Sequence, residues 1–403
     1  MIDKLKMPFI VVFTTSIVFW VGYSTYRYFT HQGKPILFVK GLEQGQSYHG
    51  TMECSLSANH DYKIAEATLF LDGKKLDIGV TKIKAKKFDY PFVIDTTILS
   101  NGKHVLEIEA VDGSYQRNKN SFKWDFFVDN LPLKAALLET NYKVEQGKTL
   151  HIKIQANKKL QKAELSFLST TYQCYPESLA STTYECFIPI DCEQAAQQHT
   201  FFTDLEDAVK NSLKLTAQAE IVAFQFKKQR SDIAVNTEKF KEEKENSISP
   251  KVLDEAIQRW SQDSPQEKLW SGPFEFPIHV RQMTTPHGEI RMTPERGRYM
   301  HKGIDLVDLP KSVIWASQNG KVIIKDRFTM TGNTIVIDHG LGITTLYAHL
   351  ENFADVEVGD MIKKGNPIGR VGMTGYASGY HLHWELRINN VSVDPLEWTT
   401  KVY

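Results

Sequence analysis

The sequence predicts a mainly β protein that begins with a single apolar helix. Residues 7–26 (MPFIVVFTTSIVFWVGYSTY) carry no charge. Beyond them, apolar and polar residues alternate over short runs, the period of half-buried strands. Asp-Gly pairs close two of these runs, at 72–73 and 112–113, as tight hairpins favour. The chain has 403 residues, a length suited to about two to four domains. Lysine plus arginine number 48, and aspartate plus glutamate also 48, so no basic excess points to nucleic acid. A mean hydropathy of −0.34 excludes a polytopic membrane protein. Charged residues at 24% and hydrophobic ones at 41% exclude wholesale disorder. Four cysteines, none in a CxxC pair, exclude a disulfide scaffold and a cysteine-type zinc site.

Residues 1–30 are read as a cytoplasmic tip and a membrane anchor. Twenty helical residues reach about 30 Å, enough to cross a bilayer. Trp20, Tyr23, Tyr26 and Tyr28 crowd the far end as an interfacial belt would. The alternatives are a cleaved signal peptide, for which Gly22-Tyr23-Ser24 is a poor exit, and a buried helix. Lys4 and Lys6 before the run nearly balance Arg27, Lys34 and Lys40 after it, so charge leaves the orientation open.

Residues 31–130 read as a β-sandwich. ATLFLDGKKLDI (67–78) is two strands around Asp72-Gly73; HVLEIEAVDG (104–113) and SFKWDFFVDN (121–130) follow. Residues 131–228 repeat the style in TLHIKIQAN (149–157), KAELSFLS (162–169), YECFIPI (184–190) and LKLTAQAEIVAF (213–224). By strand rhythm both resemble bacterial immunoglobulin-like (Ig-like) modules. Cys174 and Cys186 flank a hairpin, as either a cross-strand disulfide or two half-buried thiols. Residues 229–270 read as a charged linker (EKFKEEKENS, 238–247) with a short helix, KVLDEAIQRW (251–260), whose apolar residues recur at helical spacing.

The chemistry lies in residues 271–403. Three segments stand out: His301-Lys302-Gly303-Ile304-Asp305; Tyr347-Ala348-His349-Leu350; and His381-Leu382-His383-Trp384-Glu385. On a strand His381 and His383 share a face, roughly 6.5–7 Å apart. One can then bind a metal while its neighbour acts on substrate. Leu382 and Trp384 face the other way, toward a core. His301 and Asp305 converge if the chain bends at Gly303. Two histidines and an aspartate make the three-ligand set of a catalytic zinc, with a fourth position open. His349 could add a further imidazole. Each segment alone is weak, since a single strand histidine is more often a satisfied polar residue. Together they are strong.

With these motifs in order, and with TTPHGEIR (284–291), WASQNGKVI (315–323), GNTIVIDHG (332–340) and VGDMIKKGNPIGRVGMTG, residues 270–398 resemble the M23 family of zinc peptidases, the LytM/lysostaphin-type peptidoglycan endopeptidases. The resemblance implies a small antiparallel β-sandwich with a groove. It implies Zn²⁺ ligands at His301, Asp305 and His383, and non-ligand catalytic imidazoles at His349 and His381. It implies peptide stems of peptidoglycan as substrate, hence a single-pass cell-membrane protein with its catalytic domain periplasmic or extracellular. The Ig-like modules would be spacers, or would bind the wall or a protein partner. The departures are VDLPKSVIWA after Asp305, Tyr380 before the H-x-H, and His287 for an aromatic. His287 is read as a turn residue rather than an added ligand, and His339 as structural. A carrier domain of biotinyl or lipoyl type would need a Met-Lys-Met-like tip, which Lys363-Lys364 lacks. The remaining alternatives are a non-catalytic regulator of wall hydrolases, which would have lost ligands, and an adhesive protein.

Overall fold

The computed structural model describes residues 6–77, 83–229, 248–293 and 297–403, those at 6–15 and 293 by backbone alone. Helix α1 covers Lys6–Thr30. Among the described residues no helix is long and apolar enough to cross a membrane. The apolar run 7–26 lies in part outside the residues with described side chains, and the charge run 238–247 lies wholly outside.

Two compact units divide the chain: Met1–Pro132 with Ala208–Asn211, and Leu133–Asp207 with Ser212–Tyr403. In the first unit, seven strands form one sheet where two facing sheets are expected. The cause is strand Thr51–Leu71, 21 residues long. Its first half pairs with Ile36–Lys40 and Ala85–Asp95; its second half pairs with Lys74–Leu76 and Gly102–Asp112. Asp72 and Gly73 both hold positive φ, 51° and 75°. That is the backbone a two-residue hairpin needs, and it justifies the Asp-Gly reading. Leu56, Ile64, Leu69, Leu106, Ile108 and Phe126 form the core.

In the second unit, the strands between residues 133 and 222 build a sandwich of a four-stranded and a five-stranded sheet. Ile152, Ile154, Leu165, Phe167, Ile188 and Phe201 fill the space between them. All four cysteines of the chain are free and buried, Cys174 and Cys186 among them.

Residues 282–393 form a ten-stranded antiparallel sheet. Its centre is strand Ile343–Phe353, flanked by Gly332–Asp338 and Leu382–Ile388. Ile304–Val307 pairs on the far side of Leu382–Ile388. Along that strand Leu382, Trp384, Leu386 and Ile388 are fully buried, the alternate residues facing the groove described below.

Helix α2, Pro250–Gln262, belongs to this body rather than to a linker. Its Leu253 and Ile257 pack on Phe328, Val336 and Leu346. Helix α3, Pro395–Thr400, carries Trp398, which joins Phe187 of the sandwich and Trp270 and Phe274 in one aromatic core. The Trp398 indole donates to Thr149 Oγ1 (3.0 Å), and the Thr149 amide to Glu397 (2.8 Å). Sandwich and C-terminal domain thus share buried surface.

Candidate active site

Two neighbouring strands place the first two functional side chains. Asp305 and His383 are direct cross-strand partners in the antiparallel pair Ile304–Val307 with Leu382–Ile388. Opposite residues in such a pair bring their side chains together. His383 Nδ1 lies 2.9 Å from Asp305 Oδ1. His301, on the approach to the Asp305 strand, completes the triangle: its Nε2 is 3.0 Å from His383 Nδ1 and 3.1 Å from Asp305 Oδ1. A tetrahedral zinc with bonds of about 2.0–2.1 Å sets its donors about 3.3 Å apart. The three donor atoms have nearly that spacing.

His349 reaches the site by a backbone irregularity. Strand Ile343–Phe353 slips register beside Asn333–Ile335, and His349 takes φ +61°. A non-glycine residue in that region is strained, and such strain gathers at functional sites. The ring turns toward His381, with centroids 4.7 Å apart, and toward His383, 6.0 Å away. His381 sits just before its strand; its Nε2 is 3.8 Å from Asp305 Oδ1. All five residues named from the sequence line one groove of about 920 Å³.

Hydrogen bonds fix the tautomers. His301 Nδ1–H donates to Pro286 O (3.2 Å), leaving Nε2 for an ion. His383 Nε2–H donates to Glu385 Oε1 (2.8 Å), and its Nδ1 faces Asp305 Oδ1 and His301 Nε2. His349 and His381 donate from Nδ1 to Thr374 O (2.8 Å) and Gly379 O (2.9 Å). Each keeps an Nε2 lone pair for the groove. Holding the far nitrogen on an acceptor is how metal-ligating histidines are oriented.

Glu385 is held in turn by Arg387 Nε (2.6 Å), and Arg387 Nη1 donates to Asp254 of α2 (2.8 Å). Arg291 Nη2 donates to Asp305 Oδ2 (3.0 Å), so the carboxylate presents its other oxygen to the triangle. The sequence reading missed these supports. Glu385 and Arg387 were legible, because 381, 383, 385 and 387 share one strand face. Asp254 carried no signal, since nothing in its helix says which side chain it meets.

Electrostatics follow from burial and these partners. Burial alone would lower His383, but its bonds to Asp305 and Glu385 outweigh it and raise the ring to about 9. Burial would raise Asp305, yet His301 and His383 hold it well below the usual carboxylate range. His349 is pushed well down by burial and by its histidine neighbours. His381 is lowered, chiefly by burial.

A second cluster, His31, His60 and Asp61, also brings ligand atoms close. Its hydrogen bonds point elsewhere. The Tyr62 amide donates to His60 Nδ1 (3.3 Å), which puts the ring proton on Nε2. That proton faces Gly33 O (3.0 Å) and His31 Nε2 (3.2 Å), so His60 has no lone pair there for an ion.

Residues 299–395 match the model of peptidase family M23. The C-terminal domain is an M23 peptidase domain. Over 121 residues the chain is 37% identical to the DD-carboxypeptidase/endopeptidase Mpg of Neisseria meningitidis, covering 30% of this chain and 27% of that protein. Over 186 residues the chain is 29% identical to the peptidoglycan DD-endopeptidase ShyB of Vibrio cholerae, covering 45% and 39%. The chain thus spans less than half the length of these relatives. A crystal structure of a zinc containing peptidase from Vibrio cholerae aligns at TM-score 0.30 and 15% identity, covering 73% of this chain and 81% of that one, too loose to carry a function across. The five residues named from the sequence, His301, Asp305, His349, His381 and His383, all lie within the matched stretch 299–395.

Proposed function

We propose that this chain is a zinc-dependent endopeptidase that hydrolyses peptide cross-links of peptidoglycan. One observation carries the reading: three donor atoms about 3 Å apart, each histidine's far nitrogen tied to an acceptor, beside two further imidazoles with free lone pairs in the same groove. The named relatives support the substrate class. His301 Nε2, Asp305 Oδ1 and His383 Nδ1 would hold the zinc. Bound there, zinc supplies Lewis-acid polarisation of a carbonyl and acidifies water.

The chain's own residues do the rest. His349, buried and strongly depressed, stays neutral at pH 7. Its Nε2 lone pair accepts a hydrogen bond from the attacking water and orients it. His381 Nε2 takes the proton as general base and returns it to the leaving amine. Gly379 O holds the His381 ring throughout. Glu385, anchored by Arg387, fixes the His383 ring.

A non-catalytic regulator of wall hydrolases is the weaker reading, because no ligand or imidazole is missing. The location is proposed with the substrate: a membrane-anchored protein whose domains face the wall. Exposed apolar side chains on α1, such as Val18 at 71% and Phe19 at 83%, support a lipid environment for it. Mass spectrometry of purified peptidoglycan digested by the full chain tests the function. Cross-linked muropeptides should fall to monomers, and chelation should stop the reaction. Digests with unchanged cross-links would refute it.

A further inference from the structure

The three proposed ligands do not rest on the same support. Asp305 and His383 lie on paired strands of the central sheet. His301 precedes its strand and is held by the turn at 286–289. Pro286 O accepts from His301 Nδ1, the Gly288 amide donates to His301 O (2.8 Å), and the His301 amide donates to Glu289 O (2.9 Å).

That turn is clamped by the sandwich of residues 133–222. His287, at its tip, is buried at 6% exposure against Cys192 Sγ, 3.7 Å from Nδ1 and 4.0 Å from Nε2. Burial pushes the Cys192 thiol up to about 12 and His287 down to about 4. Both are neutral at pH 7, so the contact is packing rather than an ion pair. A methyl group on Gly147 would sit 3.1 Å from Cys192 Sγ and 3.2 Å from the His287 ring. One on Gly288 would strike Phe226 at 2.3 Å and approach Cys192 Sγ at 3.2 Å. Both glycines also have positive φ. The fit is therefore close from both sides.

Neighbouring ties fix the clamp. Glu193, next to Cys192, pairs with Arg298 on the strand leading into His301. Lys148, next to Gly147, pairs with Asp394 (2.6 Å), whose amide donates to Gly147 O (2.8 Å).

We propose that the second β-sandwich is a positioning element of the metal centre, with Cys192 and Gly147 fixing the His287–Gly288 turn that holds His301. This rests on the zinc reading above. The sandwich is then no spacer: one ligand's placement depends on it. Cys192 and His287 are positioning residues and touch neither zinc nor substrate.

Zinc affinity of the full-length chain, by competition with a chromogenic chelator, is the readout. Cys192→Leu adds bulk against His287 and should weaken zinc binding about tenfold, the size seen for changes around metal ligands. Cys192→Leu combined with His287→Ala restores room and should return affinity to within about twofold of wild type, the ordinary margin of such measurements. Leu165→Ala opens the sandwich core away from the clamp; it should lower thermal stability and leave zinc affinity unchanged. If Cys192→Leu lacks a cooperative unfolding transition, Cys192→Val is read in its place, with the same direction expected. Wild-type affinity in the folded Cys192 variant, failure of the double variant to recover, or equal loss in Leu165→Ala would overturn the clamp while leaving the peptidase reading intact. A wild-type chain that binds no zinc would overturn the metal reading, and the proposal with it.

Discussion

At the scale of single residues, the division of labour among four imidazoles follows from where each keeps its proton. His301 Nε2 and His383 Nδ1 converge on one point together with Asp305 Oδ1. His349 and His381 direct their Nε2 lone pairs at the space beside it. Alanine at either His349 or His381 should therefore leave zinc content at wild type and lower kcat by at least about a hundredfold, the span of general acid–base catalysis. Elemental analysis and turnover on a defined muropeptide check the two halves. Glu385→Gln keeps the shape but removes the charge that holds His383 Nε2–H. Zinc binding should weaken by about ten- to a hundredfold, measured by chelator competition.

His339 acts on stability instead. It is fully buried, between Asn319 O (2.6 Å) and Thr345 Oγ1 (2.7 Å), and burial pushes it down to about 4. Its ordinary value is about 6.5. Below that pH the unfolded chain binds a proton that the folded chain refuses. The stabilisation is complete above about pH 6.5 and drains away as pH falls toward about 4, at most about 3 kcal/mol. Urea unfolding across this window should show a shallower pH slope in His339→Gln than in wild type.

At the scale of elements, helix α2 is the informative case. Its spacing was legible, and Leu253 and Ile257 indeed face inward. What they cover was not legible, because an apolar stripe records a need for burial without naming the partner. The stripe packs on the sheet that carries His349, and Asp254 from the same helix grips Arg387. Leu253→Ala should cost about 2–5 kcal/mol, as other buried leucine truncations do. Chemical denaturation of the full chain measures it. The Asp72-Gly73 hairpin was legible for the opposite reason: its two positive φ angles are a local demand that the residues themselves meet. The 21-residue strand that unites the first sheet was not, because pairing partners along one strand are set by distant chain.

At the scale of the whole molecule, the H-x-H segment was readable because alternation along one strand puts His381 and His383 on one face; that Asp305 pairs opposite His383 was not, because cross-strand partners are set by distant chain. The contact of Cys192 with His287 spans 95 positions and left no local trace. Nor did the shared aromatic core, in which Phe187 of the sandwich meets Trp398 at 5.8 Å and Trp270 at 5.9 Å. That core predicts that residues 133–222 and the peptidase domain unfold together. Trp398→Ala should cost about 3–5 kcal/mol and shift one common transition rather than split it. Calorimetry, with fluorescence and circular dichroism followed in parallel, checks this.

Zinc K-edge absorption on the loaded full-length chain reads the ligand set of the metal itself. His301, Asp305 and His383 as ligands give two imidazole nitrogens among oxygen and nitrogen neighbours at about 2.0–2.1 Å, with one zinc per chain. A sulfur shell at about 2.3 Å, or a single imidazole, would place the metal on other residues and contradict that ligand set.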